Sequence, residues 1–281
     1  MTTAGMDEGE LLRRLERLAS ERGAVESLWR DVRTLGQVGS TQDVLSEMEA
    51  GGAPEGTVVA AFEQKSGRGR HGRLWHSAPG LGLYVSVLLR PGGPASGAVK
   101  YSLGAAIAAC EALRRLGVGA EIKWPNDLVA SKRKIAGLLL ESRSTLDMLR
   151  AVLIGCGVNI GHQAGDFPPD LAGQAISLAM EGTCREPDST EVCALLLDRL
   201  DVWYRKAHGQ GMEPVLDRFA ELSPSSQGRG VTIREGGRAW HAVTRGLAGD
   251  GALLVETPEG TLRALRLGEE ITVREAVECC S

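Results

Sequence analysis

The sequence has 281 residues, of which 43% are hydrophobic, 24% are charged and only 4% are aromatic. This composition suits a globular chain with one large and one small domain, and it argues against intrinsic disorder, collagen-like repeats and coiled coils. No apolar run reaches the length of a membrane span. The formal net charge of -4 argues against a protein that binds nucleic acid over its whole surface.

The N-terminal residues 1–23 are too charged for a secretory signal and contain acidic side chains, which transit peptides avoid. We therefore expect a soluble, cytoplasmic protein. The cysteines lack any Cys-x-x-Cys spacing, and a chain of this size needs no disulfide framework, so we expect reduced, mostly buried thiols. They are Cys110, Cys156, Cys184, Cys193, Cys279 and Cys280. The adjacent Cys279 and Cys280 are the exception and are expected to be exposed and oxidisable.

The predicted elements begin with an amphipathic helix over residues 8–22, which ends at Gly23. This segment is too short for a helix-turn-helix module, so we expect no DNA-binding role. Strands are predicted at 57–62, 83–89, 121–124, 134–141 and 149–159, and helices at 97–116, 189–208 and 212–222. Because the last two strands are apolar enough to be central, the pattern predicts an α+β or α/β domain with one mixed sheet.

The composition changes after residues 223–228. From Val231 to Val273, short β-type runs alternate with Gly-Gly, Gly-Asp-Gly and Pro-Glu-Gly turns, which are typical of hairpins. This part of the chain predicts a small β-barrel of SH3-like size. The expected organisation is a short helical extension over 1–32, a main domain over 33–225 and a C-terminal barrel over 226–281.

The charged residues are unevenly distributed. Residues 64–110 contain no Asp or Glu, and an anionic ligand would bind favourably in such a segment. Within it, residues 67–75 read Gly-Arg-Gly-Arg-His-Gly-Arg-Leu-Trp. Glycines let the backbone approach a ligand, and arginines provide permanently charged forks for carboxylate or phosphate. Gly/Arg loops also occur as solvated turns or RNA contacts, so both interpretations stay open on residue types alone.

Other motifs add polar or small residues at strand ends. Residues 123–128, Lys-Trp-Pro-Asn-Asp-Leu, place a cation, an apolar plate and two polar groups at one strand-to-loop corner. The segments 134–141 (KIAGLLLE) and 155–160 (GCGVNI) contain small residues that allow another group to approach the backbone. Upstream, Ser40 or Thr41 is first of all a helix N-cap, although its hydroxyl is equally able to face a ligand. Taken singly, each motif is more often structural than functional.

Several kinds of chemistry lack a signature. The 5 histidines show no metal-binding spacing, no Gly-x-Ser-x-Gly motif occurs, and no cysteine has an evident histidine partner. The sequence therefore indicates binding and charge stabilisation rather than covalent catalysis, with no metal site built from the protein alone.

In their order and spacing, Ser40-Thr41, Gln64 and the motifs named above resemble the biotin protein ligases. The resemblance runs from about residue 36 to 225, and the small C-terminal β-domain also fits the family. It implies an α+β fold like that of class II synthetases, with residues 33–225 as the catalytic domain, and it points to the group without an N-terminal DNA-binding domain. The implied activity is ATP-dependent ligation of biotin to a lysine of a biotin carboxyl carrier protein. Biotinyl-5′-AMP is the implied intermediate, and pyrophosphate and AMP are released.

The resemblance also implies roles for individual residues. Charge stabilisation in catalysis would fall to Lys123, Arg70 and Arg68. Biotin would be bound by Ser40, Thr41, Gln42, Gln64, Arg68, Gly69, Arg70, Lys123 and Gly137. ATP or the adenylate would be bound by Arg70, Trp75, Asn126 and Asn159. Trp124 and Ala136 would contribute to the walls of the site, and Mg²⁺ would come with ATP, with Asp127 nearby. The implied partners are biotin, ATP and the carrier protein of acetyl-CoA or another acyl-CoA carboxylase, without DNA or membrane.

Two details complete the comparison with this family. The family usually has Ser-Thr-Asn where this chain has Ser40-Thr41-Gln42, and the extra methylene of Gln42 shifts its amide. The loop 161–170 resembles the segment that orders over the adenylate, with Phe167 as a lid residue.

Two alternatives to biotin ligation remain. A lipoate or octanoate ligase or transferase of the same fold family is disfavoured, because the motifs at 67–73 and 123–127 have their biotin-side form. A non-enzymatic RNA-binding or nucleotide-binding protein is disfavoured by the net charge and the sparse aromatic residues.

Overall fold

The computed structural model describes residues 6–182, 188–267 and 271–275. Its helices are α1 (Glu8–Glu21), α2 (Thr41–Ala50), α3 (Ala98–Arg115), α4 (Ser189–Gln210) and α5 (Glu213–Leu222). The strands of the main sheet are β1 (Asp31–Val38), β2 (Thr57–Gln64), β3 (Gly82–Leu89), β4 (Glu121–Lys123), β5 (Asp127–Ala130), β6 (Arg133–Thr145) and β7 (Met148–Asn159). The strands of the C-terminal sheet are β8 (Gln227–Glu235), β9 (Arg238–Leu247), β10 (Leu253–Glu256), β11 (Leu262–Leu265) and β12 (Ile271–Glu275).

The main sheet is mixed and is covered by helices on both faces. Its strand order is β1-β2-β3-β7-β6-β5-β4, with β1 and β2 parallel and the other neighbours antiparallel. Alternate side chains of a strand point to opposite faces. Thus Val152 and Ile154 of β7 join the large core with α3 and α4, whereas Leu153 packs in a smaller cluster with Leu45 of α2.

The C-terminal sheet is fully antiparallel, with the order β11-β10-β9-β8-β12. It contacts the main domain at the turn between β9 and β10. There the indole N–H of Trp124 donates to the carbonyl of Gly251, with 3.2 Å between Nε1 and O. Gly251 has a φ of +83°, and a Cβ at this position would lie 2.8 Å from Val99 and 2.9 Å from Leu103 of α3. The mixed sheet with helices and a small C-terminal β-domain confirms the predicted fold class.

The helix α1 is fastened to α4 by a buried ionic cluster. Arg22, just after α1, lies 2.8 Å from the carboxylate of Asp198 and also pairs with Asp201. The side chains of these two aspartates are 2% and 0% exposed. Nearby, the indole N–H of Trp29 donates to the carbonyl of Leu197 at 2.7 Å, so several polar contacts fix the N-terminal segment on α4.

The observed elements agree with the predicted ones to within a few residues, apart from two strands. The strands β1 and β5 were absent from the prediction. β1 (DVRTLGQV) is an edge strand of mostly half-buried or exposed residues, and β5 (DLVA) is short and continues from the 123–128 motif, so neither has a strong apolar signal.

The described cysteines are buried free thiols, as expected: Cys110, Cys156 and Cys193. Burial raises the pKa of the Cys110 thiol to about 11 and that of Cys156 to about 12. The expectations for Cys184, Cys279 and Cys280 concern positions outside the described residues. In the described part of the chain, no helix is long and apolar enough to cross a membrane.

Candidate functional site

A cleft of about 470 Å³ lies on the face of the main sheet that also carries α2. This volume is in the range of small-molecule sites. Its walls come from the start of α2, the loop 67–75, the turn 123–127, the first half of β6, the end of β7 and the loop 161–175. The residues expected to act in catalysis or to bind biotin or the adenylate all line it: Ser40, Thr41, Gln42, Gln64, Arg68, Gly69, Arg70, Trp75, Lys123, Asn126, Gly137 and Asn159.

One end of the cleft is a network of hydroxyls and amides. The Ser40 hydroxyl caps α2 by accepting from the backbone N–H of Gln42 at 3.2 Å, as expected for an N-cap. The backbone N–H and the hydroxyl of Thr41 both donate to Gln64 Oε1, at 2.8 and 3.1 Å. The Thr41 hydroxyl also lies 2.9 Å from that of Ser86, and the Gln64 amide donates to Ser77 at 2.9 Å. These side chains are therefore held in fixed orientations before any ligand binds.

Gln42 leaves one polar atom unused in this network. Its side chain is 2% exposed, and its Nε2 donates to the carbonyl of Leu153 at 3.3 Å. Its Oε1 has no hydrogen-bond partner within the described residues, and it lies close to Gly155, where a Cβ would be 2.9 Å away. A buried acceptor without a partner is costly, so a ligand N–H at this position would be favourable.

The loop 67–75 forms a small, internally bonded hairpin over the cleft. The backbone N–H of Gly69 donates to the carbonyl of Arg73, and that of Trp75 donates to Gly67, both at 2.8 Å. The Gly69 N–H is thus used within the loop rather than exposed to a ligand. A Cβ on Gly67 would lie 2.7 Å from the Ser77 hydroxyl, so only glycine fits beside the network at that end.

The first arginine of the loop is already paired with carboxylates. Arg68 lies 2.7 Å from Asp43 of α2 and 2.5 Å from Glu141 of β6. Arg68 lines the cleft, yet both terminal nitrogens of its guanidinium bind carboxylates of the protein. Arg68, from the segment 64–110 that contains no acidic residue, is therefore paired with carboxylates from outside that segment.

Arg70 also lines the cleft, and among the residues that the structure describes no carboxylate contacts it directly. Its Nη1 donates to Asn126 Oδ1 at 3.2 Å, while the Asn126 amide donates to the carbonyl of Leu138. Burial, together with the charge of Arg73, lowers the pKa of Arg70, and Asp127 opposes this effect. An incoming anion would relieve the cost of desolvating this guanidinium. Both ends of the Asn126 side-chain amide are engaged, so Asn126 orients Arg70.

Lys123 stands at the end of β4 and lines the same part of the cleft. Within the described residues its ammonium has no hydrogen bond or ion pair, so its charge is available to a ligand. The following turn contains a cis peptide bond between Trp124 and Pro125. Trp124 is 6% exposed and bonds to Gly251, so its indole anchors this turn to the C-terminal domain as well as forming part of the wall.

Trp75 rests on two glycines that face each other across the β6–β7 ladder. Gly137 pairs with Gly157, and a Cβ on either would lie 2.9 or 2.4 Å from the indole. Ala136, expected beside Gly137, instead packs in the main core and does not line the cleft, because neighbouring residues of a strand point to opposite faces.

Lys134 is a cleft residue that the motifs did not single out. Its Nζ lies 5.2 Å from the centre of the Trp75 ring and 2.6 Å from Asp127. Lys134 is the first residue of the KIAGLLLE motif, whose apolar run predicts a central strand. It lines the cleft because it lies near the start of β6. Asp127 is therefore balanced by a cation in direct contact.

The loop 161–175 closes the remaining side of the cleft. The amide of Asn159 donates to the carbonyl of Ile176 at 3.0 Å and so holds the returning chain against β7. Phe167, the expected lid residue, is 7% exposed, lines the cleft and stacks on His162 with ring centres 4.8 Å apart. His162 is fully buried, and burial lowers its pKa.

No group of three or more His, Cys, Asp or Glu side chains that could hold a metal ion exists in the ranges 6–182, 188–267 and 271–275. The cleft is thus a binding site with oriented hydrogen-bonding groups at one end and cations at the other. From β7 to β4 is three strand spacings, roughly 14 Å, which is enough for a long ligand with an uncharged head and an anionic tail.

Sequence comparisons find two matching families. The Biotin/lipoate A/B protein ligase family matches residues 35–159, and the Biotin protein ligase C terminal domain matches residues 227–269. The Bacillus subtilis protein "Bifunctional ligase/repressor BirA" is 34% identical over 79% of this chain and 68% of its own length. The Paracoccus denitrificans protein "Biotin--[acetyl-CoA-carboxylase] ligase" is 34% identical over 72% of this chain and 85% of its own length.

Solved structures give a similar result. The biotin protein ligase from Aquifex aeolicus in complex with biotin and ATP has a TM-score of 0.74 and 27% identity, and the match covers 88% of this chain and 100% of that one. The Leishmania major biotin protein ligase in complex with biotinyl-5-AMP has a TM-score of 0.55 and 25% identity, and the match covers 84% of this chain and 99% of that one.

Proposed function

Because the chain belongs to the biotin protein ligase family, we propose that its cleft activates biotin with ATP and passes the biotinyl group to a lysine of a biotin carboxyl carrier protein. The observation that carries this assignment is the joining, in one cleft, of a polar hydrogen-bonding end at α2 with a cationic end at Arg70 and Lys123. Biotin has the matching form, since its ureido ring is polar and uncharged and its valeryl tail ends in a carboxylate.

The ureido ring needs both hydrogen-bond donors and acceptors. Ser40, Thr41 and Gln64 form the fixed polar end of the cleft, and the unused Oε1 of Gln42 offers an acceptor for a ureido N–H. A site that pairs every polar group of its ligand discriminates strongly against analogues that lack one. Lipoate and octanoate carry no ureido group, so we expect them to bind poorly.

The first half-reaction joins two anions. A biotin carboxylate oxygen attacks the α-phosphorus of ATP, the bond to the bridging oxygen of the β-phosphate breaks, and pyrophosphate leaves. We assign Lys123 and Arg70 to the charge on the α-phosphate, with Trp75 as the apolar wall for the adenine. Loss of one such oriented donor typically slows a reaction by about 10² to 10³-fold.

In the second half-reaction, the neutral amine of the carrier lysine attacks the acyl carbon of the adenylate. The acyl carbon–oxygen bond to AMP breaks, AMP leaves, and the amine loses a proton as the amide forms. The same cations stabilise the phosphate of the leaving AMP.

Mg²⁺ fits this cleft only as a companion of the nucleotide. Asp127 follows Lys123 by four residues and also lines the cleft, but its carboxylate is paired with Lys134 at 2.6 Å. We therefore propose that Mg²⁺ enters bound to the phosphates of ATP.

Pyrophosphate release provides the test. The enzyme is mixed with Mg-ATP and one of four additions: biotin, lipoate, octanoate or no acid. We expect release with biotin alone, followed by biotin transfer when a carrier domain is added. Release with lipoate or octanoate but not with biotin would contradict the proposal.

A further inference from the structure

We propose that Asp43 and Glu141 clamp the loop 67–75 over the cleft through Arg68, and that this clamp sets how long the adenylate stays bound. The inference rests on the proposed function and deepens it by naming two positioning residues. Neither carboxylate lines the cleft, so their effect on the ligand passes through Arg68.

The clamp joins three separate elements. Arg68 Nη1 lies 2.7 Å from Asp43 on α2, and its Nη2 lies 2.5 Å from Glu141 on β6. Glu141 also lies 3.4 Å from Arg143, which in turn donates to Ser46 of α2 at 3.1 Å. The two anchoring elements are thus tied to each other, and the arginine adds the loop to them.

Arg68 is linked through the backbone to the residues that we expect to face the ligand. Arg68 forms a backbone bridge with Leu74, the neighbour of Trp75, and it precedes Arg70 by one glycine. If Arg68 leaves its carboxylates, the hairpin that carries Arg70 and Trp75 loses two ionic contacts to α2 and β6 and lifts from the sheet more easily. An open loop would let the adenylate escape into water before the carrier lysine arrives.

The strength of the clamp suits a reversible closure. The side chains of Arg68 and Asp43 are 42% and 52% exposed, whereas that of Glu141 is 17% exposed. Exposed ion pairs are weak and are screened by salt, with a Debye length of about 10 Å at 0.1 M. We therefore expect Glu141 to contribute more than Asp43, and the whole clamp to loosen as ionic strength rises.

The experiment measures escape of the adenylate from the intact enzyme. Wild type, Asp43→Asn, Glu141→Gln and the double variant are charged with labelled biotin and Mg-ATP without carrier, and freed of unbound ligand. Loss of label is then followed over time at low and high salt. Glu47→Gln is the matched control, since Glu47 is an exposed carboxylate one turn further along α2 without an ion pair among the described residues.

The expected result is about two- to five-fold faster escape in each single variant and about ten-fold in the double variant at low salt, as for the loss of exposed ion pairs. In addition, high salt should speed escape from the wild type by a larger factor than escape from the double variant, because the double variant has no carboxylates left for salt to screen from Arg68. A purely structural role for these carboxylates would leave the salt dependence of the two proteins equal. Asp43→Glu keeps the negative charge and should therefore release the adenylate more slowly than Asp43→Asn.

Escape from the double variant at the wild-type rate, or an equal effect of Glu47→Gln, would overturn the clamp. If the double variant does not fold, the rate of escape from Asp43→Asn tests the clamp instead. This variant should fold because the Asp43 side chain is exposed on α2. Failure of the proposed function gives a different result: the wild type would then form no labelled complex from biotin and ATP.

Discussion

Two arginines of this enzyme each bind two carboxylates, and they differ mainly in their exposure to water. Arg22 joins α1 to α4 through Asp198 and Asp201, whose side chains are 2% and 0% exposed. Arg68 joins the cleft loop to α2 and β6 through partners that are 52% and 17% exposed. The chemical groups are the same, but removing a partner has a very different cost in the two places.

Burial decides what each cluster does. A buried carboxylate that loses its cation keeps an uncompensated charge in a medium of low polarity, whereas an exposed one is solvated by water. The cluster around Arg22 is therefore a permanent part of the fold, and the cluster around Arg68 can open and close. The comparison predicts that cations of the cleft act on ligand and rate, while cations between the helices act on stability.

The largest expected effect concerns the cleft. Lys123→Ala should slow adenylate formation by about 10² to 10³-fold, because it removes a free ammonium from the proposed phosphate site. The free energy of unfolding should stay within about 0.5 kcal/mol of the wild type, as for most surface substitutions. Single-turnover pyrophosphate release and urea unfolding measure the two quantities. A large loss of stability in this variant would break the division between the two regions.

Arg22→Ala should give the opposite pattern. We expect the free energy of unfolding to fall by about 3 kcal/mol, the lower end for breaking a buried pair, because Arg199 and Arg205 still contact the two aspartates. Urea denaturation measures this loss, with Arg68→Ala as the exposed counterpart, for which less than about 1 kcal/mol is expected. Equal losses in the two variants would show that exposure does not set the cost.

Gly157→Ala tests whether an uncharged contact of the cleft also acts on ligand binding. Its Cβ would lie 2.4 Å from the Trp75 indole, so the indole has to move from its place on the sheet. A displacement of about 1 Å at a positioning residue can cost up to about 10²-fold in rate, and we expect a rise of at least about 10-fold in the KM for ATP. Gly36→Ala, a strand position with nothing within 4 Å of its Cβ, is the control. Equal KM values in both variants would exclude a role for Trp75 in nucleotide binding.

The smallest effect concerns His162, a buried titratable group whose ring nitrogens have no hydrogen-bond partner in the described part of the chain. Burial and the neighbouring His76 lower its pKa from the usual 6.5, although Asp166 acts in the opposite direction. Below pH 6.5 the unfolded chain therefore binds more protons than the folded one, and stability present above this pH is lost on acidification. In His162→Phe, the free energy of unfolding should fall less than in the wild type when the pH is lowered below 6.5. Urea denaturation at several pH values measures this difference. An unchanged pH dependence would rule out His162 as its source.

The sequence is sufficient for the parts of this structure that depend on local patterns. Apolar runs located β3, β6 and β7, and the spacing of leucines located α1, because both signals come from residues close together in the chain. Residues of the separate motifs also line one common cleft, and their role in binding a ligand stays a prediction.

The remaining features depend on partners that are distant in sequence. Asp43 and Glu141 lie 25 and 73 residues from Arg68, and no local pattern links them. The position of Lys134 at the cleft follows from where β6 starts, and the anchoring of Trp124 follows from a turn of another domain. Such contacts become visible only when the strands are placed side by side.

The bond between Trp124 and Gly251 limits how freely the two domains can be exchanged between related enzymes. A chimera with a foreign C-terminal domain would have to supply a carbonyl at the same place and a residue without Cβ beside Val99 and Leu103. Where it does not, the indole next to Lys123 loses its anchor, although every motif of the catalytic domain is intact. The domain boundary is thus a poor site for recombination, and engineered variants of this ligase should keep the 123–127 turn and the 248–252 turn from one parent.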